Sequence, residues 1–155
     1  MKKLGFTLIE LLIVVSFIAI LFIVVFIALN PLELFSESRN AQRWVKVSEL
    51  LTGIHILTIQ DEGIVLNKND WEEGIYYVLG TKATGCARTC GNIPVAEKCL
   101  DLTDMLKSRR ISQIPTDPLF GSEENTGFYA YREEGTIITI GSCASELNKK
   151  IELTR

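Results

Sequence analysis

The chain is poor in the side chains that do acid–base and metal chemistry near neutral pH. It has one histidine, His55, in 155 residues. Catalytic proton transfer needs a positioned partner, and no ligand-type cluster lies beside His55, so it reads as a packing or surface residue. There is no Gly-rich phosphate loop, no HExxH and no GxSxG. Positive charge is not in excess: 16 Lys and Arg stand against 19 Asp and Glu, a net charge of −3. A nucleic-acid partner is therefore not indicated. The four cysteines, Cys86, Cys90, Cys99 and Cys143, run C-x3-C-x8-C-x43-C, without the paired short spacings of a structural zinc site. Asp117, Glu123, Glu124 and Asn125 offer oxygen donors but no compact DxDxDG loop, which leaves calcium unassigned. No catalytic residue, metal or cofactor is expected, and the chain is not expected to be an enzyme.

Polar residues are also missing from one long stretch. From Leu11 to Leu29 only Ser16 is polar. Those 19 residues would span roughly 28 Å as a helix, close to a hydrocarbon core of about 30 Å. Lys2 and Lys3 precede the stretch, which predicts a cytoplasmic N-terminus and an extracytoplasmic remainder. A cleaved secretory signal fits poorly. The apolar run is too long, and Asn30-Pro31-Leu32-Glu33 follows it in place of a small-x-small site. A plain single-span anchor carrying a small extracytoplasmic binding domain explains the hydrophobicity but not Glu10. A carboxylate at the edge of hydrocarbon is costly and usually has a partner. Cleavage after Gly5 would supply one, a new ammonium on Phe6.

The residues Lys2-Lys3-Leu4-Gly5, followed by Phe6-Thr7-Leu8-Ile9-Glu10-Leu11-Leu12-Ile13-Val14-Val15, resemble the class III signal of type IV prepilins and type II secretion pseudopilins. The resemblance implies cleavage after Gly5 by a membrane aspartyl peptidase and N-methylation of Phe6. It implies that Glu10 pairs with the N-terminus of a neighbouring subunit during assembly. It also implies partners: other pilins in a homo- or hetero-oligomeric filament, the prepilin peptidase, and an assembly platform in the inner membrane. A helix apolar on every face is stable in lipid or in a bundle of like helices, which suits a segment that serves first as anchor and then as filament core.

Beyond Pro31, Leu32 to Gln60 reads as an amphipathic helix. Ala41, Trp44, Val47, Leu51, Ile54 and Leu57 form its apolar stripe, and Glu37, Arg39, Gln42, Arg43, Lys46 and Glu49 its polar face. Gly63 is a plausible stop. Joined to the apolar run, this would make one helix of over fifty residues, with a proline of unfixed effect at position 31. Ile75–Leu79 reads as a strand, Thr84–Pro94 as a loop, and Leu100–Arg110 as a short helix with Leu102, Met105 and Leu106 inward. Pro115 and Pro118 break the chain there. A hairpin follows, Gly127–Arg132 and Thr136–Gly141, turning at Glu133-Glu134-Gly135. The predicted fold is α+β and pilin-like, with a long N-terminal helix packed on a small C-terminal antiparallel sheet. Its predicted segments are a leader (1–5), an apolar half-helix (6–30), an amphipathic half-helix (31–62) and a globular region (63–155).

Four cysteines in an exported domain read as disulfides, with three pairings open. Cys99–Cys143 and Cys86–Cys90 are the expected pairs. The first would tie the end of the hairpin to the middle segment, and the second would pin a local turn.

Overall fold

The structure, a computed structural model, describes residues 5–60, 71–86, 89–103 and 113–155. The chain divides into two compact units, Met1–Ser36 and Glu37–Arg155.

In the first unit, helix α1 spans Leu8–Ala28. Its mean hydropathy reaches 3.4 and none of its residues is buried. At about 1.5 Å per residue, its 21 residues give a length of roughly 32 Å, enough to cross a membrane. Its one hydroxyl side chain, Ser16, donates to the Leu12 carbonyl at 2.8 Å and so is not left unsatisfied.

A single unbroken helix was expected, but the structure interrupts it. α1 closes with Leu29 N–H on the Val25 carbonyl, and Asn30 adopts φ 40°. Asparagine tolerates this left-handed conformation better than most residues. Helix α2 then begins at Pro31 and runs to Gln60. The Asn30 carbonyl accepts from Glu33 N–H at 3.0 Å, and its side chain donates to the Glu33 carboxylate at 3.1 Å. Proline suits the first helical position because its missing N–H would lack a partner there anyway. The break thus falls at Leu29–Asn30, and Pro31 starts a helix rather than kinking one.

In the second unit, four strands form one antiparallel sheet in the order β1-β4-β5-β6: β1 is Tyr76–Val78, β4 Phe128–Arg132, β5 Ile138–Ser142 and β6 Glu152–Thr154. Between β1 and β4 lies a two-stranded hairpin, β2 (Thr89–Cys90) and β3 (Ile93–Pro94), inside a segment expected to be loop. The strand at 75–79 and the terminal hairpin match the sequence reading. β6 was not foreseen. Val47, Leu50, Leu51, Ile54 and Leu57 of α2 share one core with Tyr77, Leu79, Phe128, Ala130, Ile138, Ile140 and Ile151. Leu100 bridges to Leu79, and Leu102 joins the core. Most of the expected Leu100–Arg110 helix, including Met105 and Leu106, lies outside the described residues, as do the stop at Gly63 and the leader residues before Gly5.

The opposite face of the sheet has its own cluster. Tyr129, Val78 and the cysteines pack there, and Tyr76 stacks on Tyr131 with ring centroids 4.3 Å apart. Tyr129 lies across β5 at Gly141, where a Cβ would sit 2.3 Å from its ring, and its hydroxyl donates to Glu152 on β6 at 2.8 Å.

Candidate functional site

At the N-terminal end of α1, Thr7 is the N-cap, extended at φ −83° and ψ 149°. Its backbone N–H and its hydroxyl both donate to Glu10 Oε2, at 2.9 and 2.7 Å, and Glu10 N–H donates back to the hydroxyl at 3.3 Å. This reciprocal arrangement is a capping box, and it satisfies donors that a helix start otherwise leaves open. Gly5 and Phe6 stand before the helix, and Phe6 is 79% exposed. Glu10 therefore has a local partner. Its other oxygen, Oε1, accepts no hydrogen bond among the described residues, which leaves it available to an ammonium.

The second unit holds an ion cluster absent from the sequence reading. Arg43 was assigned to the solvated face of α2 but is fully buried. Trp44, assigned to the core, is 39% exposed, and Ala41 is exposed. The helical count explains both corrections. Residues 43, 47, 50, 54 and 57 recur every three or four positions on one stripe, and position 44 lies about 100° around from it.

The Arg43 guanidinium reaches both oxygens of Asp117, at 2.6 and 3.2 Å, and Nη1 donates to Glu146 at 2.7 Å and to Asn40 at 3.0 Å. Arg39 binds the same Glu146 carboxylate through Nε at 2.7 Å. Asn40 fixes the backbone at 146: its amide donates to the Glu146 carbonyl at 2.8 Å and its oxygen accepts Glu146 N–H at 3.1 Å. Two arginines thus meet two carboxylates. Asp117 Oδ1 also accepts from the N–H groups of Leu119 and Phe120, at 2.9 and 3.2 Å. Burial pushes the Asp117 carboxyl up, but the Arg43 hydrogen bonds and these two N–H groups outweigh it and hold the carboxyl below its ordinary value. Burial likewise opposes the charge on Arg43, and its bonds to Asp117 and Glu146 leave it raised. Gly121 permits this fit, since a Cβ there would lie 2.2 Å from Asp117 N.

Asp117 is therefore committed to Arg43 and is not a free oxygen donor. Glu123 and Glu124 are exposed, and the Asn125 side chain is bound to the Cys86 carbonyl and Gly127 N–H. The four oxygen-bearing residues do not converge. Among the described residues, no three His, Cys, Asp or Glu side chains are placed to share a metal ion.

The four cysteines form two bridges, but not the expected ones. Cys86 pairs with Cys99 (Cα atoms 5.2 Å apart) and Cys90 with Cys143 (4.6 Å). The backbone accounts for this correction. Cys86 N–H donates to Glu97 O and Cys99 N–H to Lys82 O, which folds the two ends of that loop together. The β2–β3 turn at Gly91, φ 60°, carries Cys90 to the end of β5, so close that a Gly91 Cβ would meet the Cys143 carbonyl at 3.4 Å.

No family model matches the chain, and neither a curated protein nor a solved structure matches it.

Proposed function

We infer that the chain is a structural subunit of a type IV pilus or a related secretion or DNA-uptake pseudopilus. A prepilin peptidase cleaves it after Gly5 and methylates Phe6, and it assembles from the membrane into an extracytoplasmic filament. The observation that carries this reading is α1: a membrane-length helix, apolar on every side, with its only carboxylate at Glu10 in the first turn, just after Lys2-Lys3-Leu4-Gly5. In water such a surface is unstable. In lipid or in a bundle of like helices it stays dry, and a carboxylate at a fixed height sets register between neighbours. The free Oε1 of Glu10 suits a neighbour's Phe6 ammonium. The two disulfides in the second unit agree with an oxidising, extracytoplasmic location and a cytoplasmic N-terminus.

Mass spectrometry of the mature protein tests the processing step. The reading expects an N-terminus at methyl-Phe6, and Gly5→Leu should accumulate as full-length membrane precursor. Normal maturation of Gly5→Leu would rule out this cleavage.

The Thr7–Glu10 capping box favours a second reading, because it accounts for Glu10 without a neighbour. On that reading the chain is a single-span anchor with a small binding domain, and its N-terminus keeps Met1 or Lys2. The two readings part again at Glu10→Val. A subunit would still insert and be cleaved, yet enter filaments poorly because the partner ammonium has lost its mate. Wild-type assembly of Glu10→Val would remove the register role.

A further inference from the structure

β4 and β5 pair along their full length, from Arg132↔Ile138 at one end of the sheet to Phe128↔Ser142 at the other. Four steps of about 3.4 Å between the first and last residue set those ends roughly 14 Å apart. The turn after β4 leaves the first end. Its Glu133, Glu134 and Gly135 are exposed, and neither glutamate has an ion-pair partner among the described residues. The segment after β5 leaves the second end and carries Lys149 and Lys150. Beside these lysines is a cavity of about 440 Å³, bounded by Gly91 and Asn92 of the β2–β3 turn, by Tyr129, and by Asn148. Its rim is held in shape rather than collapsed. Leu147 and Asn148 adopt left-handed φ of 58° and 54°, next to Glu146, which Arg39, Asn40 and Arg43 hold.

We propose that this cavity receives the Glu133-Glu134-Gly135 turn of a second copy of the chain. The proposal rests on the filament reading and names a contact within it. The turn is exposed, the cavity is concave, and the two carry opposite charges. Lys149 and Lys150 already face Glu37 and Glu152, at 3.4 and 2.7 Å, but both lysine side chains are more than half exposed. Pairs formed by such exposed lysines contribute little, so turning a lysine to a partner's carboxylate costs little. The Asn92 and Asn148 amides add donors. Because turn and cavity sit at opposite ends of one sheet, each copy offers both halves of the contact. The interface is heterologous: it propagates from copy to copy, as a filament requires, rather than closing a two-fold dimer.

Light and heavy-nitrogen-labelled full-length protein would be mixed in detergent, reconstituted together in vesicles and treated with a zero-length carbodiimide. The expected product is a mixed-isotope peptide joining Glu133 or Glu134 to Lys149 or Lys150. Glu133→Lys/Glu134→Lys and Lys149→Glu/Lys150→Glu, each alone, place like charges together and should lower filament yield by about tenfold or more. Mixing these two variants places opposite charges at both kinds of mixed contact, and coupling between the same two segments should return. Intermolecular links only elsewhere, or normal filaments from either reversal, would overturn the proposal. The N-terminus of the same samples is read separately. Unprocessed chains would count against the filament reading, while the vesicle coupling would still decide the contact.

Discussion

Arg43→Ala is expected to destabilise the folded second unit by about 3–5 kcal/mol, because it strips the partner from a buried carboxylate. Arg43 is buried on the core stripe of α2, and the Asp117 side chain beside it is equally inaccessible. The cost comes less from the lost hydrogen bonds than from Asp117, which stays charged in a dry site with only the N–H groups of Leu119 and Phe120 to stabilise it. Urea melts of the full chain in detergent, followed by near-ultraviolet circular dichroism, would measure the loss. Trp44→Ala, one residue along, removes a larger side chain yet should change stability by roughly 1 kcal/mol or less, because the ring is part-exposed on the helix flank. Equal losses for the two variants would mean that α2 is rotated from the orientation described here.

The same pair predicts a pH dependence. The Asp117 carboxyl is held below its ordinary value in the folded chain. Its contribution to stability is therefore fully present above the ordinary carboxylate pKa and is lost as pH falls through the folded one. In Arg43→Ala the burial remains and the counter-charge is gone, so protonation of Asp117 relieves the variant. The stability gap between wild type and variant should narrow as pH drops below the ordinary carboxylate range. A gap independent of pH would place the cost elsewhere, for example in lost packing by the Arg43 stem.

The sequence showed α1 plainly because its signal is one of bulk: a membrane-length apolar run overrides every local preference. The β4–β5 hairpin was legible for a related reason, two β-rich segments around a Gly-containing turn. β6 was not, since Glu152-Leu153-Thr154 becomes a strand only by pairing with β5. Arg43 misled for a different reason. A cation on a helix is ordinarily solvated, and nothing within α2 says that a carboxylate 74 residues away will meet it. A signal was present in the spacing, because Arg43 falls four residues before Val47 on the apolar stripe. The break before α2 was not foreseen, although Pro31 is a residue suited to a helix's first turn. At the candidate site, Thr7-x-x-Glu10 is itself a capping-box pattern, so the hydrogen bonding of Glu10 was readable locally. Its role between subunits concerns a second chain.

Cysteine pairing was the least legible feature. Short separation favours Cys86–Cys90 in an unfolded chain. The folded backbone instead separates these two by sending Cys90 into a hairpin that reaches the end of β5. Non-reducing peptide mapping of the mature protein is expected to recover Cys86 joined to Cys99 and Cys90 joined to Cys143. The bridges should differ in weight. Their sequence separations are 13 and 53 residues, and chain-entropy reasoning then gives about 3 and about 4 kcal/mol, upper figures for real bridges. The Cys90–Cys143 bridge has a second effect, since it holds the start of the segment whose Glu146 is tied to Arg39 and Arg43. Cys90→Ser/Cys143→Ser should therefore lower the melting midpoint more than Cys86→Ser/Cys99→Ser. Combined with Arg43→Ala it should lose less than the sum of the separate losses, because both changes release the segment after β5. Strict additivity would show that the bridge and the ion cluster hold that segment independently. Recovery of a Cys99–Cys143 peptide would overturn the fold of the loop between β1 and β4.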